Sequence, residues 1–94
     1  MNIAKLIFRV HALQRMSQRN IRPADIRQAL ENSEVIEDYP DDKPYPSCLV
    51  LGWHGNRPLH IVIAQNIEWR ETIVVTVYEP DSFKWMPGFT RRKL

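Results

Sequence analysis

Two dense apolar runs, Ser47 to Trp53 and Pro58 to Ala64, are separated only by His54-Gly55-Asn56-Arg57. Gly-Asn accepts the positive φ angles of a two-residue turn, so the segment reads as a β-hairpin of fixed register. Trp53 then pairs with Pro58, Leu51 with His60, and Leu49 with Val62. Side chains alternate along a strand, so the register assigns each residue to a face. Leu59, Ile61 and Ile63 share one face with Cys48 and Val50, while His60, Val62 and Ala64 share the other with Leu49, Leu51 and Trp53. The first face is uniformly apolar and needs a covering layer. The second mixes apolar bodies with polar tips, as an open or partly covered sheet face does.

The flanking segments supply that layer and extend the sheet. Leu6, Val10, Leu13 and Ser17, with Met16 alongside, follow helical spacing and predict a helix over roughly residues 6–18. His11, Arg15 and Gln18 then lie opposite Leu13. Asn20 ends this helix, and Pro23 takes the first position of a second one, with Ile26, Ala29 and Leu30 as its buried stripe. The second helix stops near Asn32-Ser33, and Val35 to Tyr39 reads as a short strand before a loop holding Pro40, Pro44 and Pro46. Thr72 to Tyr78 is the last strand, placing Thr76 and Tyr78 on the mixed face, and Pro80 and Pro87-Gly88 make the remainder irregular. The expected fold is α+β in one domain over residues 1–94: two N-terminal helices on one face of a four-stranded antiparallel meander, with an irregular C-terminal tail.

At 44% hydrophobic and 26% charged, the chain has the composition of an ordinary globular domain, which excludes disorder throughout. Its 94 residues suit one core with a thin stability margin, which a homodimer or another partner would supplement. A single cysteine, Cys48, excludes an intrachain disulfide and sits in an apolar run as a small buried thiol. Met1 to Val10 is interrupted by Lys5 and Arg9 and lacks a small-residue cleavage site. Neither a signal peptide nor a membrane span is expected, and the cytoplasm is the expected location. Charge is segregated. The first thirty residues carry six cations against one anion, and residues 31–46 reverse that ratio. Such basic ends around an acidic middle attract phosphate or merely solvate the surface; charge alone does not decide.

Three constellations could carry chemistry. Four-residue spacing aligns His11, Arg15 and Arg19 along one side of a helix, where imidazole and guanidinium groups can face one phosphate. RNA cleavage by its own 2′-hydroxyl needs proton transfer and stabilisation of phosphoryl charge, which those groups supply. A polar helix face carries the same residues for solubility alone. The second constellation is His60, Tyr78 and Trp53 on the mixed sheet face: an imidazole in a strand interior, a phenol able to exchange a proton, and an indole able to stack on a base. Its bland counterpart is a satisfied core histidine beside structural aromatics. The third is the tail from Phe83 to Lys93, where Trp85 and Phe89 alternate with Lys84, Arg91 and Arg92. That mixture suits single-stranded nucleic acid, and equally a lid whose aromatics cover the open sheet face. Arg57 is the nearest cation on the hairpin. His11, His54 and His60 lack the spacing of a metal set, and no metal or other cofactor is expected.

At these residues the sequence resembles an uncharacterised bacterial family of short proteins. The likeness rests on His11-Ala12-Leu13-Gln14-Arg15-Met16-Ser17-Gln18-Arg19-Asn20-Ile21, Tyr45-Pro46-Ser47-Cys48, Gly52-Trp53, Arg57-Pro58-Leu59-His60, and Thr76-Val77-Tyr78-Glu79-Pro80 followed by Trp85. It covers residues 8–92. That family is similar in layout to the BrnT-like branch of the RelE/ParE-like toxin superfamily. The resemblance implies a two-helix, antiparallel-sheet fold, messenger-RNA cleavage without metal, and an antitoxin partner of the MqsA type, a zinc-finger and helix-turn-helix protein. On the matching positions it implies site roles for His11, Arg15, Arg19, His60, Tyr78 and Trp85. Together with the stacking and charge arguments above, the expected catalytic residues are His11, Arg15, His60 and Tyr78, and the expected RNA contacts are Arg19, Trp53, Arg57, Trp85, Arg91 and Arg92. One departure from the RelE-like pattern is that the last strand carries no basic residue. The functional expectation is therefore a toxin of a type II toxin–antitoxin pair that cleaves or binds RNA, free or on the ribosome. The rival is a non-catalytic protein-interaction module on the same fold.

Overall fold

In the computed structural model, residues 5–94 are described; residues 1–4, the start of the Met1–Val10 stretch, lie outside the described residues. The chain runs β1 (Lys5–Phe8), α1 (Val10–Gln18), α2 (Pro23–Glu31), β2 (Glu34–Tyr39), β3 (Ser47–His54), β4 (Arg57–Asn66) and β5 (Glu71–Tyr78). The five strands form one sheet in the order β1-β5-β4-β3-β2. No helix among the described residues is long and apolar enough to cross a membrane.

The hairpin forms in the predicted register. Trp53 lies opposite Pro58, Leu51 opposite His60 and Leu49 opposite Val62, with Gly55 at a φ of 62° in the turn. Val50, Leu59, Ile61 and Ile63 face the helices and are fully buried with Ala12, Met16, Ile26, Ala29 and Leu30. Gly52 permits α2 to lie directly on β3. A Cβ at that position would stand 2.7 Å from the Ala29 carbonyl oxygen.

The sheet corrects the sequence reading at its edge. It is five-stranded and mixed, not a four-stranded antiparallel meander, because Lys5–Phe8 forms a strand parallel to β5. Leu6 fits both periods: it is the first apolar position of a helical stripe and, with Phe8, one side of a strand. The neighbouring β5 decides between them, since its free edge offers a full ladder and Glu71 places its carboxylate 3.3 Å from the Lys5 ammonium. Arg9 is extended, so the helix starts at Val10 and its phase shifts. Ala12 and Met16 are buried, whereas Val10 and Leu13 are exposed at 70% and 43%. The expected Leu6-Val10-Leu13-Ser17 stripe is thus replaced by a narrower one, whose small Ala12 lets the helix approach β5.

A β-bulge leaves Val75 unpaired, because Val62 pairs with Thr76 while Ile63 pairs with Val74. The extra residue keeps Thr76 and Tyr78 on the same face as His60 and Val62, away from the helices. The tail then folds back over this face as a small hairpin, with Trp85 opposite Arg92 and mutual backbone bonds from Met86 to Arg91 and from Lys93 to Lys84. Positive φ at Gly88 and Phe89 closes its turn.

Candidate functional site

The sheet face opposite the helices brings His60 and Tyr78 together, since they are direct partners across β4 and β5. His60 is fully buried, not by a slipped register but by the tail. The Trp85 ring meets the imidazole edge-on at a centroid distance of 4.3 Å, and Leu51, its cross-strand partner on β3, is buried as well. Nε2 of His60 lies 2.8 Å from the Phe89 carbonyl oxygen, and Nδ1 lies 3.3 Å from the Tyr78 hydroxyl. A carbonyl only accepts, so Nε2 carries the proton. Nδ1 of the neutral ring is then the acceptor for Tyr78 O–H. Burial pushes the His60 pKa down and the Tyr78 pKa up, which keeps both groups neutral.

Around this pair lies a charged clamp. Arg92 donates from Nε to Glu37 Oε2 at 2.8 Å and from Nη2 to Glu37 Oε1 at 3.0 Å, and its guanidinium sits 4.6 Å above the Trp85 ring. Tyr39 also donates its hydroxyl to Glu37. Chiefly through the Arg92 hydrogen bonds, and next through that of Tyr39, the Glu37 pKa is held at about 2. The Tyr39 hydroxyl, desolvated and bound to that carboxylate, is pushed up to about 12.

The clamp predicts an acid-sensitive tail. A carboxylate with a depressed pKa contributes stability that is complete above its unfolded value of 4.5 and lost as pH falls toward 2. His60 acts in the same direction: its pKa is lowered from 6.5, so its contribution declines once pH drops below that value. Acidification from neutrality to about pH 3 is expected to free the tail before the helix-side core opens, seen as a fall in the protection factors of the Trp85, Met86 and Lys93 amides relative to the intrinsic exchange rate at each pH. Unchanged protection of those amides down to that pH would contradict the clamp. In Glu37→Gln the step below 4.5 should disappear while the step set by His60 remains.

The other sequence candidates do not converge here. His11, Arg15 and Arg19 are exposed on the helix layer, and the sheet stands between them and His60. Arg19 also leaves the helical row, being the C-cap residue at φ −110°. Arg57 is occupied: it donates from Nε to Glu79 at 3.1 Å and from Nη2 to the Arg19 carbonyl at 3.0 Å, tying the end of α1 to the end of β5. Trp85 is buried under Arg92 and is not a free stacking surface. Trp53 remains nearly half exposed, edge-on to Phe89 at 6.4 Å, and Arg91 is exposed. Among the described residues no three His, Cys, Asp or Glu side chains gather as a metal set. Cys48 is half-buried against the helix-side core, and burial pushes its thiol pKa up.

Sequence reasoning missed two groups. Glu37 and Tyr39 lie two apart on one strand face, a signal hidden inside the acidic run that the basic tail meets. Asp25, buried at the start of α2, accepts from the Arg22 backbone N–H at 2.9 Å and faces His54 Nε2 at 3.3 Å. The three-residue step from Arg22 to Asp25 was the available clue. His54 Nδ1 is buried without a hydrogen-bond partner among the described residues.

No curated protein and no solved structure matches the chain. Residues 8–79, well over half of the sequence and including α1, α2 and the whole His60–Tyr78 sheet face, match the family described as Domain of unknown function (DUF4258), and the chain belongs to that family.

Proposed function

We propose that the protein is the toxin of a type II toxin–antitoxin pair, of the BrnT-like branch of the RelE/ParE-like superfamily, and cleaves messenger RNA without a metal. The observation that carries this reading is the chain Tyr78 O–H to His60 Nδ1 and His60 Nε2–H to the Phe89 carbonyl. It has the logic of an activated hydroxyl, a base behind it and an acceptor that orients the base. Tyr78 is the partly exposed end of the chain and His60 the buried one. When Tyr78 passes its proton to Nδ1, its oxygen takes the proton of an RNA 2′-hydroxyl. The resulting alkoxide attacks the adjacent phosphorus, and the 5′-oxygen leaves with a proton taken from water. The hydroxide so formed takes the surplus proton from Tyr78, which regains its own from Nδ1 of His60. Arg92, the nearest cation to the pair, steadies phosphoryl charge once it exchanges Glu37 for the substrate. The partners in this reading are cytoplasmic messenger RNA, free or ribosome-bound, and an antitoxin of the MqsA type.

Tyr78→Phe keeps the ring and removes the proton. Induced expression of the wild type is expected to arrest growth, with the variant losing RNA cleavage by about 10²–10⁴-fold while the tail stays docked. Equal cleavage by wild type and variant removes the relay from the chemistry. A second reading, a non-catalytic interaction module, is favoured by the complete burial of His60 and by the pairing of Arg57 and Arg92 with carboxylates. It predicts no growth arrest and intact RNA with or without ribosomes.

A further inference from the structure

The tail covers His60, but it does not cover the whole face. Further along β4, beside the loop after β2, a trench of about 230 Å³ opens over Val62 and Ala64. Tyr45 forms one wall, held in place by a 3.1 Å hydrogen bond from Asn66 Nδ2 to its hydroxyl. The bulge residue Val75 forms the other wall, and Arg9 and Lys43 stand at the rim. No described carboxylate pairs with either of these two cations, whereas Arg57 and Arg92 are both engaged. Asp42, also at the rim, accepts from the Ser47 hydroxyl.

We propose that this trench is a binding site for one nucleotide of single-stranded RNA, with its base on Val62 and Ala64 against Tyr45 and its phosphate between Arg9 and Lys43. This deepens the RNA reading and rests on it for the identity of the polymer. The volume lies below the roughly 300–1,000 Å³ of sites for drug-sized ligands, so it takes one ring and leaves the rest of the ligand outside. An apolar floor with an aromatic wall suits the flat face of a base, and a guanidinium fork suits a phosphate. An acidic peptide would satisfy the rim but leave the floor without a partner. The site also has a useful position. Val62 follows His60 by two residues on the same face, a rise of about 7 Å, so a strand seated here passes next to Tyr78.

The test is an NMR titration with uridine 5′-monophosphate, adenosine 5′-monophosphate, inorganic phosphate and an oligoglutamate peptide. Nucleotide-induced shifts at Val62, Ala64, Val75 and Tyr45, larger than those from phosphate alone, are expected. Equal shifts from phosphate alone, or shifts only from the peptide, would overturn the assignment. In the variant carrying Arg9→Gln and Lys43→Gln, oligouridine affinity should fall at least tenfold, and its salt slope should shrink by about 0.7 per cation removed. If that variant cleaves and binds RNA as the wild type does, the trench is wrong and the toxin reading stands. If nucleotides fill the trench of a protein that cuts no RNA, the site stands and the nuclease reading falls.

Discussion

Gly52→Val is expected to unfold the protein at ordinary temperatures, and Gly52→Ala to lower its melting temperature by about 10–20 °C. The reason is steric. A methyl at this position meets the Ala29 carbonyl oxygen at 2.7 Å and the Ala29 Cβ at 3.0 Å, and a backbone oxygen cannot rotate aside. Relief requires α2 to lift from β3, which opens the packing of Ile26, Ala29 and Leu30 against the sheet. Inserting a methyl into such a contact costs about 1–3 kcal/mol, and each kcal/mol shifts the midpoint of a domain this size by about 4–8 °C. Valine adds two further carbons against a total stability of about 5–15 kcal/mol. Gly55→Ala is the control, because that turn has open space around it and a φ of 62°. Its cost is conformational alone, about 1–2 kcal/mol. Thermal unfolding followed by circular dichroism measures each loss, and the contrast is sharpest for Gly52→Val, whose loss should far exceed that of Gly55→Ala. If Gly52→Ala melts within a few degrees of the wild type, α2 is not seated as described. Ala29→Gly in the Gly52→Ala background should rescue little, since the carbonyl remains.

That contact also shows where sequence reasoning runs out. The hairpin was legible because a two-residue turn and strict alternation fix register locally, and all three expected pairs from Leu49 to Pro58 are present. Pro23 and the Ile26-Ala29-Leu30 stripe marked α2 for the same reason: cap and stripe lie within one helix. Lys5–Phe8 was not legible. Four residues fit a helical or an extended period equally, and only the edge of a strand more than sixty positions later selects one. The site divides along the same line. Alternation put His60 on the face away from the helices. Whether that face stays open depends on a tail held by Glu37 and Arg92, 55 residues apart in the chain. The pairing of Arg57 with Glu79 and of Arg92 with Glu37 was hidden for the same reason, since each carboxylate lies more than twenty positions from its cation.

The second large effect is expected at His60, where the requirements of the fold and of the proposed chemistry meet on one ring. His60→Ala removes a fully buried side chain and leaves a cavity under Trp85, while the Phe89 carbonyl loses its donor. Truncation of a large buried side chain costs about 3–5 kcal/mol, and an orphaned acceptor adds about 1–3 where water cannot replace the donor. Much of this loss should fall on the tail, because Leu59 and Ile61 on either side of His60 pack toward the helices and keep their contacts. Amide exchange at Trp85, Met86 and Lys93 is therefore expected to rise far more than exchange in β4 itself. His60→Gln is the informative companion. Its amide nitrogen can donate to the Phe89 carbonyl while its oxygen accepts from Tyr78, so the tail should redock at a cost of about 1–2 kcal/mol. An amide, however, takes no proton at neutral pH. His60→Gln with a docked tail and no RNA cleavage would place the imidazole in the chemistry, whereas cleavage by His60→Gln at the wild-type rate would reduce it to the tail's anchor. If tail exchange is unchanged even in His60→Ala, the imidazole holds nothing in place and the clamp rests on Glu37 and Arg92 alone.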